Sequence, residues 1–162
     1  METVIPYVQK ILLWAIPILV AVVLHELAHG YVAFRLGDPT AARAGRLTLN
    51  PVAHIDLFGS ILLPVMLLFA GAPFLFGYAK PVPVDFRNLR NPRRDMVLVA
   101  AAGPLTNFLL AALSALGFKW ILSLPVPGDG VLTAGLATLA LMLQYSVLMN
   151  VGLAVFNLLP VP

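Results

Sequence analysis

Residues 11–34 are almost wholly apolar, long enough to cross the hydrocarbon core of a bilayer, and only His25, Glu26 and His29 interrupt them with strongly polar side chains. The rest of the chain agrees with a membrane setting. Of its 162 residues 60% are hydrophobic and 10% charged, with a mean hydropathy of +0.95; a soluble domain carries about 25% charged residues. The length suits one domain over 1–162. Met1-Glu2 lacks a basic n-region and the first apolar segment is too long for an h-region, so no cleavable signal is expected. With no cysteine, disulfides and thiolate metal sites are excluded. The net charge of +3 is no nucleic-acid signal, because the basic residues sit in the gaps between apolar segments, as membrane topology places them.

The pattern predicts an all-α polytopic membrane protein with three to four transmembrane helices. Helix one is expected from Ile5 to Leu36, with Pro17 as a candidate kink, and Gly37-Asp38-Pro39-Thr40 stops it. Arg46-Leu47-Thr48-Leu49-Asn50 alternates polar and apolar residues and reads as a short strand ending at Pro51. A second apolar run, Leu57–Tyr78, is broken by Pro64 and by Gly71-Ala72-Pro73; Lys80–Asp85 is extended, because its two prolines cannot sit inside a helix. Asn91 caps a helix that starts at Pro92 and continues to about Leu122, Gly128-Asp129-Gly130 is a turn, and a last helix runs from about Val131 to Leu158.

Arg35, Arg43 and Arg46 follow helix one, and Lys80, Arg87, Arg90, Arg93 and Arg94 follow the second apolar run. Both clusters look cytoplasmic by the positive-inside rule, yet one full crossing between them would separate them. A hairpin resolves the conflict: Leu57–Ala70 enters the membrane and Pro73–Lys80 returns extended. Arg90, Arg93 and Arg94 then form a solvated face near anionic headgroups.

His25-Glu26-Leu27-Ala28-His29 places two imidazoles at i and i+4 on one helix face, where both can ligate one zinc ion, with the adjacent glutamate set as general base. An ionisable side chain at membrane depth costs about 2.5–3.5 kcal/mol on insertion scales, so three together require a purpose. The plain alternative is a satisfied polar cluster between helices. His54 is either a further ligand or a loop histidine bonded to backbone or serving a gate. Asp56 suits a cap for the helix starting near Leu57, and Asp85, Asp95 and Asp129 fall in stretches read as solvated loops.

Several segments together resemble the site-2 protease family of intramembrane zinc metalloproteases, in its compact form without a PDZ domain. They are His25–Gly30, Gly45–Pro51 with His54-Ile55-Asp56 and Gly59, Gly77–Val82, Asn91–Asp95, Gly103-Pro104-Leu105-Thr106-Asn107 and Asn157–Pro162. The resemblance implies a membrane-embedded protease of multi-pass topology in a prokaryotic-type cell membrane, with its site toward the cytoplasm. It implies that His25 and His29 bind Zn2+, that Glu26 activates water, and that Asn157 holds the oxyanion or orients substrate. A transmembrane protein substrate, locally unwound, would pair with an edge strand from Arg46–Asn50 or Tyr78–Val84, giving Tyr78 and Lys80 a substrate-binding role. Asn107 either packs structurally or faces the site, and Gly103 permits close helix packing. The family's third ligand is an aspartate in N-x-x-P-x-P-x-L-D-G, of which the Leu-Asp-Gly part is absent here. A fragment or truncated gene end is the simplest account. A catalytically inactive member and a membrane zinc-binding protein are the alternatives.

Overall fold

A computed structural model describes residues 5–71, 77–125, 128 and 130–159. Among the described residues there are five α-helices, α1 (Ile5–Arg35), α2 (Thr40–Arg43), α3 (Leu63–Phe69), α4 (Pro92–Leu122) and α5 (Val131–Leu158). Three of the described helices are long and apolar enough to cross a membrane: Leu13–Arg35 within α1, Pro92–Leu122 and Val131–Leu158. Packing divides the chain into two compact units, Val22–Gly103 and the pair Met1–Ala21 with Pro104–Pro162.

In the Val22–Gly103 unit, Gly37 ends α1 at φ 115°, a conformation glycine adopts without a Cβ penalty. The next residue, Asp38, is a hub that sequence reading passed over as a helix stop. It is fully buried and accepts hydrogen bonds from Thr40 N (3.0 Å), the Thr40 hydroxyl, Asn88 Nδ2 (3.0 Å) and Asp85 N (2.8 Å). With Arg90 N donating to Leu36 O at 3.1 Å, it ties the end of α1 to the loop that leads into α4. Ala33, Leu89 and Val99 form the core beneath, with Val32, Leu36 and Val84 packed against it.

Burial by itself would raise the pKa of Asp38, but the bonds from Thr40, Asn88 and Asp85 outweigh it and hold the carboxyl below its ordinary 3.8. Its stabilising contribution is therefore complete above pH 3.8 and is lost as pH falls through the lowered folded value. The wild-type thermal midpoint should drop below about pH 4 more steeply than that of Asp38→Asn, which should itself cost about 1–3 kcal/mol at neutral pH. Parallel midpoint curves for the two proteins would contradict this.

Asp56 caps the next turn as expected: its carboxylate accepts from Gly59 N at 2.7 Å, and Ser60 Oγ accepts from Asp56 N at 3.0 Å. Residues Leu57–Leu62 wind as a wide π turn before α3. Pro64 lacks the N–H that would bond back to residue 60, which favours such widening upstream. This turn and α3 together make thirteen residues, Leu57–Phe69. That is roughly 20 Å at helical rise, short of a bilayer core of about 30 Å. The chain then comes back beside its own start: Tyr78 N donates to Gly59 O (3.1 Å), Ser60 Oγ to Tyr78 O (2.9 Å) and Lys80 N to His54 O (3.0 Å). The expected hairpin requires such a return at its base. Its tip, including Pro73, lies outside the described residues. Cysteines placed at the exposed Arg43 and Arg87 should accordingly label from the same side of a sealed vesicle; labelling from opposite sides would overturn the hairpin.

The expected short strands do not form: among the described residues there is no strand. In Arg46–Asn50 the backbone is engaged locally. Arg46 N donates to Ala41 O (2.9 Å), Asn50 N to Thr48 Oγ1 (3.1 Å), and Thr48 O is bonded to His54. Residues 77–85 are extended, yet their partners are scattered single groups, and Pro81 and Pro83 have no N–H for a ladder. Asp95, expected in a solvated loop, is instead buried in the first turns of α4. Its carboxylate accepts from Asn91 N at 2.9 Å, so the start of α4 is closed by Asp95 reaching back to the main chain of Asn91. Asp85 does lie in a polar loop, where its hydrogen bonds from Arg87 hold its carboxyl below the usual range.

In the other unit, α4 and α5 are joined by buried polar side chains. Asn107 Nδ2 donates to Asn150 Oδ1 at 3.1 Å, Asn150 Nδ2 to Ser146 O at 2.8 Å, and the Ser114 and Ser146 hydroxyls meet at 2.8 Å. In an apolar surrounding such satisfied bonds fix which faces of two helices meet.

Candidate metal and catalytic site

His25 and His29 stand one turn apart on α1, and their Nε2 atoms converge to 3.0 Å, with ring planes at 82°. His29 Nδ1 lies 2.7 Å from Val99 O. A carbonyl only accepts, so Nδ1 carries the proton and the His29 Nε2 lone pair faces His25. Main-chain orientation of this kind is the usual support for a metal-binding imidazole. One turn after Val99 on α4 comes Gly103. A Cβ there would stand 2.6 Å from His25 Nε2 and closer still to His29 Nε2. The two rings therefore need a bare backbone at this point, and the close packing expected at Gly103 is packing against the histidine pair itself.

Glu26 is turned to a different partner. Its Oε2 accepts from Val82 N at 2.8 Å, in the extended segment. Gly30, one turn later, lets that segment lie close: a Cβ there would meet Val82 Cγ1 and Leu47 Cδ2 at 2.7 Å. Glu26 and Gly30 on one face of α1, with residues 80–82 across them, make one wall of the site.

The donor set fits zinc in part. Two nitrogens bound tetrahedrally at about 2.0–2.1 Å are separated by roughly 3.3 Å, close to the spacing of the histidine pair. Among the described residues no group of three or more His, Cys, Asp or Glu side chains gathers around a common point. His54 is buried, and its Nε2 is bonded to Thr48 O at 2.9 Å. Its Nδ1 has no partner.

The remaining candidates are placed as follows. The Tyr78 ring covers Gly59, where a Cβ would come within 2.6 Å of Tyr78 Cζ, and Lys80 is held through its main chain. Asn107 and Asn157 belong to the other unit. Asn107 is fully buried, and Asn157 is exposed with its Nδ2 on Leu153 O at 2.8 Å. Pro160–Pro162 and Asp129 lie outside the described residues. Sequence reading missed Val99 O and Val82 N, which are main-chain groups without a side-chain signature. It read Arg46 only as a cytoplasmic basic residue after helix one and the start of a short strand, whereas Arg46 is buried and donates to Lys80 O at 2.7 Å.

Known proteins similar to this chain carry a consistent name. The chain is 42% identical over 147 residues to a Bacillus subtilis (strain 168) protein named "Putative zinc metalloprotease YwhC", covering 91% of this chain and 62% of that protein. It is 37% identical over 144 residues to "Putative zinc metalloprotease Rip2" of Mycobacterium tuberculosis, covering 89% of this chain and 50% of the relative. A Mycolicibacterium smegmatis protein of the same name is 32% identical over 147 residues. The chain thus spans between half and 62% of the length of these relatives. No protein-family profile matches the chain, and no solved structure does.

Proposed function

We propose that this chain, homologous to named zinc metalloproteases and carrying the motifs of the site-2 protease family, forms the membrane-embedded zinc and general-base half of an intramembrane endopeptidase. The observation that carries the reading is the convergence of His25 and His29 Nε2 under Gly103, with Val99 O fixing the tautomer of His29.

His25 and His29 would hold the metal. Zinc there would supply Lewis acidity, polarising a peptide carbonyl and lowering the pKa of water. Glu26 would accept the proton of the attacking water and return it to the leaving amine. Its bond from Val82 N occupies one carboxylate oxygen and leaves the other for this exchange. Tyr78 and Lys80 would contact a transmembrane substrate, whose unwound backbone would find partners along the extended segment from Tyr78 to Val84. The basic residues on both sides of the hairpin support a site facing the cytoplasm.

The purified chain in detergent should hold about one zinc, lost in His25→Ala and in His29→Ala. Zinc content no higher than that of the variants would overturn the reading. That no third His, Cys, Asp or Glu side chain joins the histidine pair among the described residues favours one other reading, a homologue that binds zinc without hydrolysis; zinc retained with no cleavage of a reconstituted single-span peptide would select it.

A further inference from the structure

We propose that Arg46 is a positioning residue for Glu26, acting through the Lys80–Pro83 segment; this rests on the reading of Glu26 as general base. Arg46 is only 8% exposed, yet no carboxylate lies within ion-pair reach among the described residues. Its Nη2 donates to Lys80 O at 2.7 Å and stands 3.5 Å from Pro81 O, while its Nε has no partner. Burying a guanidinium without a counter-ion is costly, which a solvated loop arginine would avoid. The contact it makes there is with a main-chain carbonyl of the segment that holds Glu26.

The grip reaches Glu26 because the intervening chain is stiff. Lys80 is held at both polar groups, its N–H by His54 O at 3.0 Å and its carbonyl by Arg46. Pro81 and Pro83 each have a fixed φ, and each confines the residue before it, Lys80 or Val82, to extended conformations. Four consecutive residues therefore behave as a short rod. Two residues beyond the gripped carbonyl, Val82 N donates to Glu26 Oε2 at 2.8 Å. The Val82 side chain rests on Gly30, one turn beyond Glu26 on α1. Arg46 thus sets where the Val82 N–H sits, and the Val82 N–H sets which way the carboxylate points.

The test reads the Val82 amide by NMR on the full 162-residue chain in detergent, with valines labelled and the Val82 resonance assigned by its loss in Val82→Ile. It requires neither metal nor turnover. In the wild type this amide should exchange slowly, and Glu26→Gln should shift its resonance. Arg46→Ala should speed its exchange at least tenfold, and Arg46→Lys, which keeps one cationic donor, should restore part of the protection. Pro81→Ala with Pro83→Ala leaves Arg46 intact but loosens the rod, and should also speed exchange. Wild-type protection at Val82 in either the Arg46→Ala or the double-proline variant would overturn the proposal. In cleavage assays Arg46→Ala should lower kcat about 10–100-fold with KM within twofold; a rise in KM at constant kcat would also overturn it. If the exchange results hold while Glu26→Gln cleaves normally, the rod stands as geometry and the general-base reading fails.

Discussion

Glu26→Gln should lower peptide-bond cleavage by about 10²–10⁴-fold while zinc content stays at the wild-type level, because general-base assistance contributes on that order. The substitution is nearly isosteric. An amide oxygen can still accept from Val82 N, now 2.8 Å from Glu26 Oε2, so the extended segment keeps its place. What is lost is the proton acceptor. Glu26 is no part of the histidine pair, whose nitrogens face each other one residue and one turn away, so metal retention is expected. The pair of measurements, zinc by elemental analysis and cleavage of a reconstituted single-span peptide, is decisive together. Full cleavage with zinc bound would remove Glu26 from the mechanism, and loss of zinc would make it part of the metal site.

Gly103→Ala should cost about 100-fold or more in zinc affinity, with helix content unchanged. The new methyl would occupy the place where the two Nε2 atoms converge, 2.6 Å from that of His25. Its neighbours there are ring atoms, each ring anchored by its own helix backbone, and His29 is also tied to Val99 O at 2.7 Å. Disturbing groups that merely orient a ligand typically costs 10–100-fold in affinity, and this change displaces the ligands themselves. Gly152→Ala is the control. A Cβ there meets nothing within 4 Å, and alanine is the better helix former by about 0.5–1 kcal/mol. Zinc retention in Gly103→Ala equal to that in Gly152→Ala would show that the pair does not hold the metal.

The long helices were legible because their signals are local. The expected bounds of α1, Ile5–Leu36, and of α4 and α5 match the observed Ile5–Arg35, Pro92–Leu122 and Val131–Leu158 closely. Apolar length, Gly37 with Pro39, and Pro92 at a first turn act within a few residues and need no distant partner. The Asp56 cap was legible for the same reason. The strands failed where alternation in Arg46–Asn50 was outweighed by side chains bonding their own backbone. Asp95 was misplaced, and the burial of Arg46 went unread, because charge suggests water until a buried partner is known. For Asp95 that partner is Asn91 N, four residues back, and for Arg46 it is Lys80 O, thirty-four residues on.

The sequence alone determined that this chain carries helices long and apolar enough to cross a membrane and that His25, Glu26 and His29 share one of them, because hydrophobic length and the 3.6-residue period are properties of contiguous residues. Only the tertiary structure decided what surrounds them: the bare surface of Gly103, the carbonyl of Val99 and the amide of Val82. These are backbone groups that every residue type supplies, so composition cannot mark them, and only the path of the folded chain brings them to the ring nitrogens and the carboxylate.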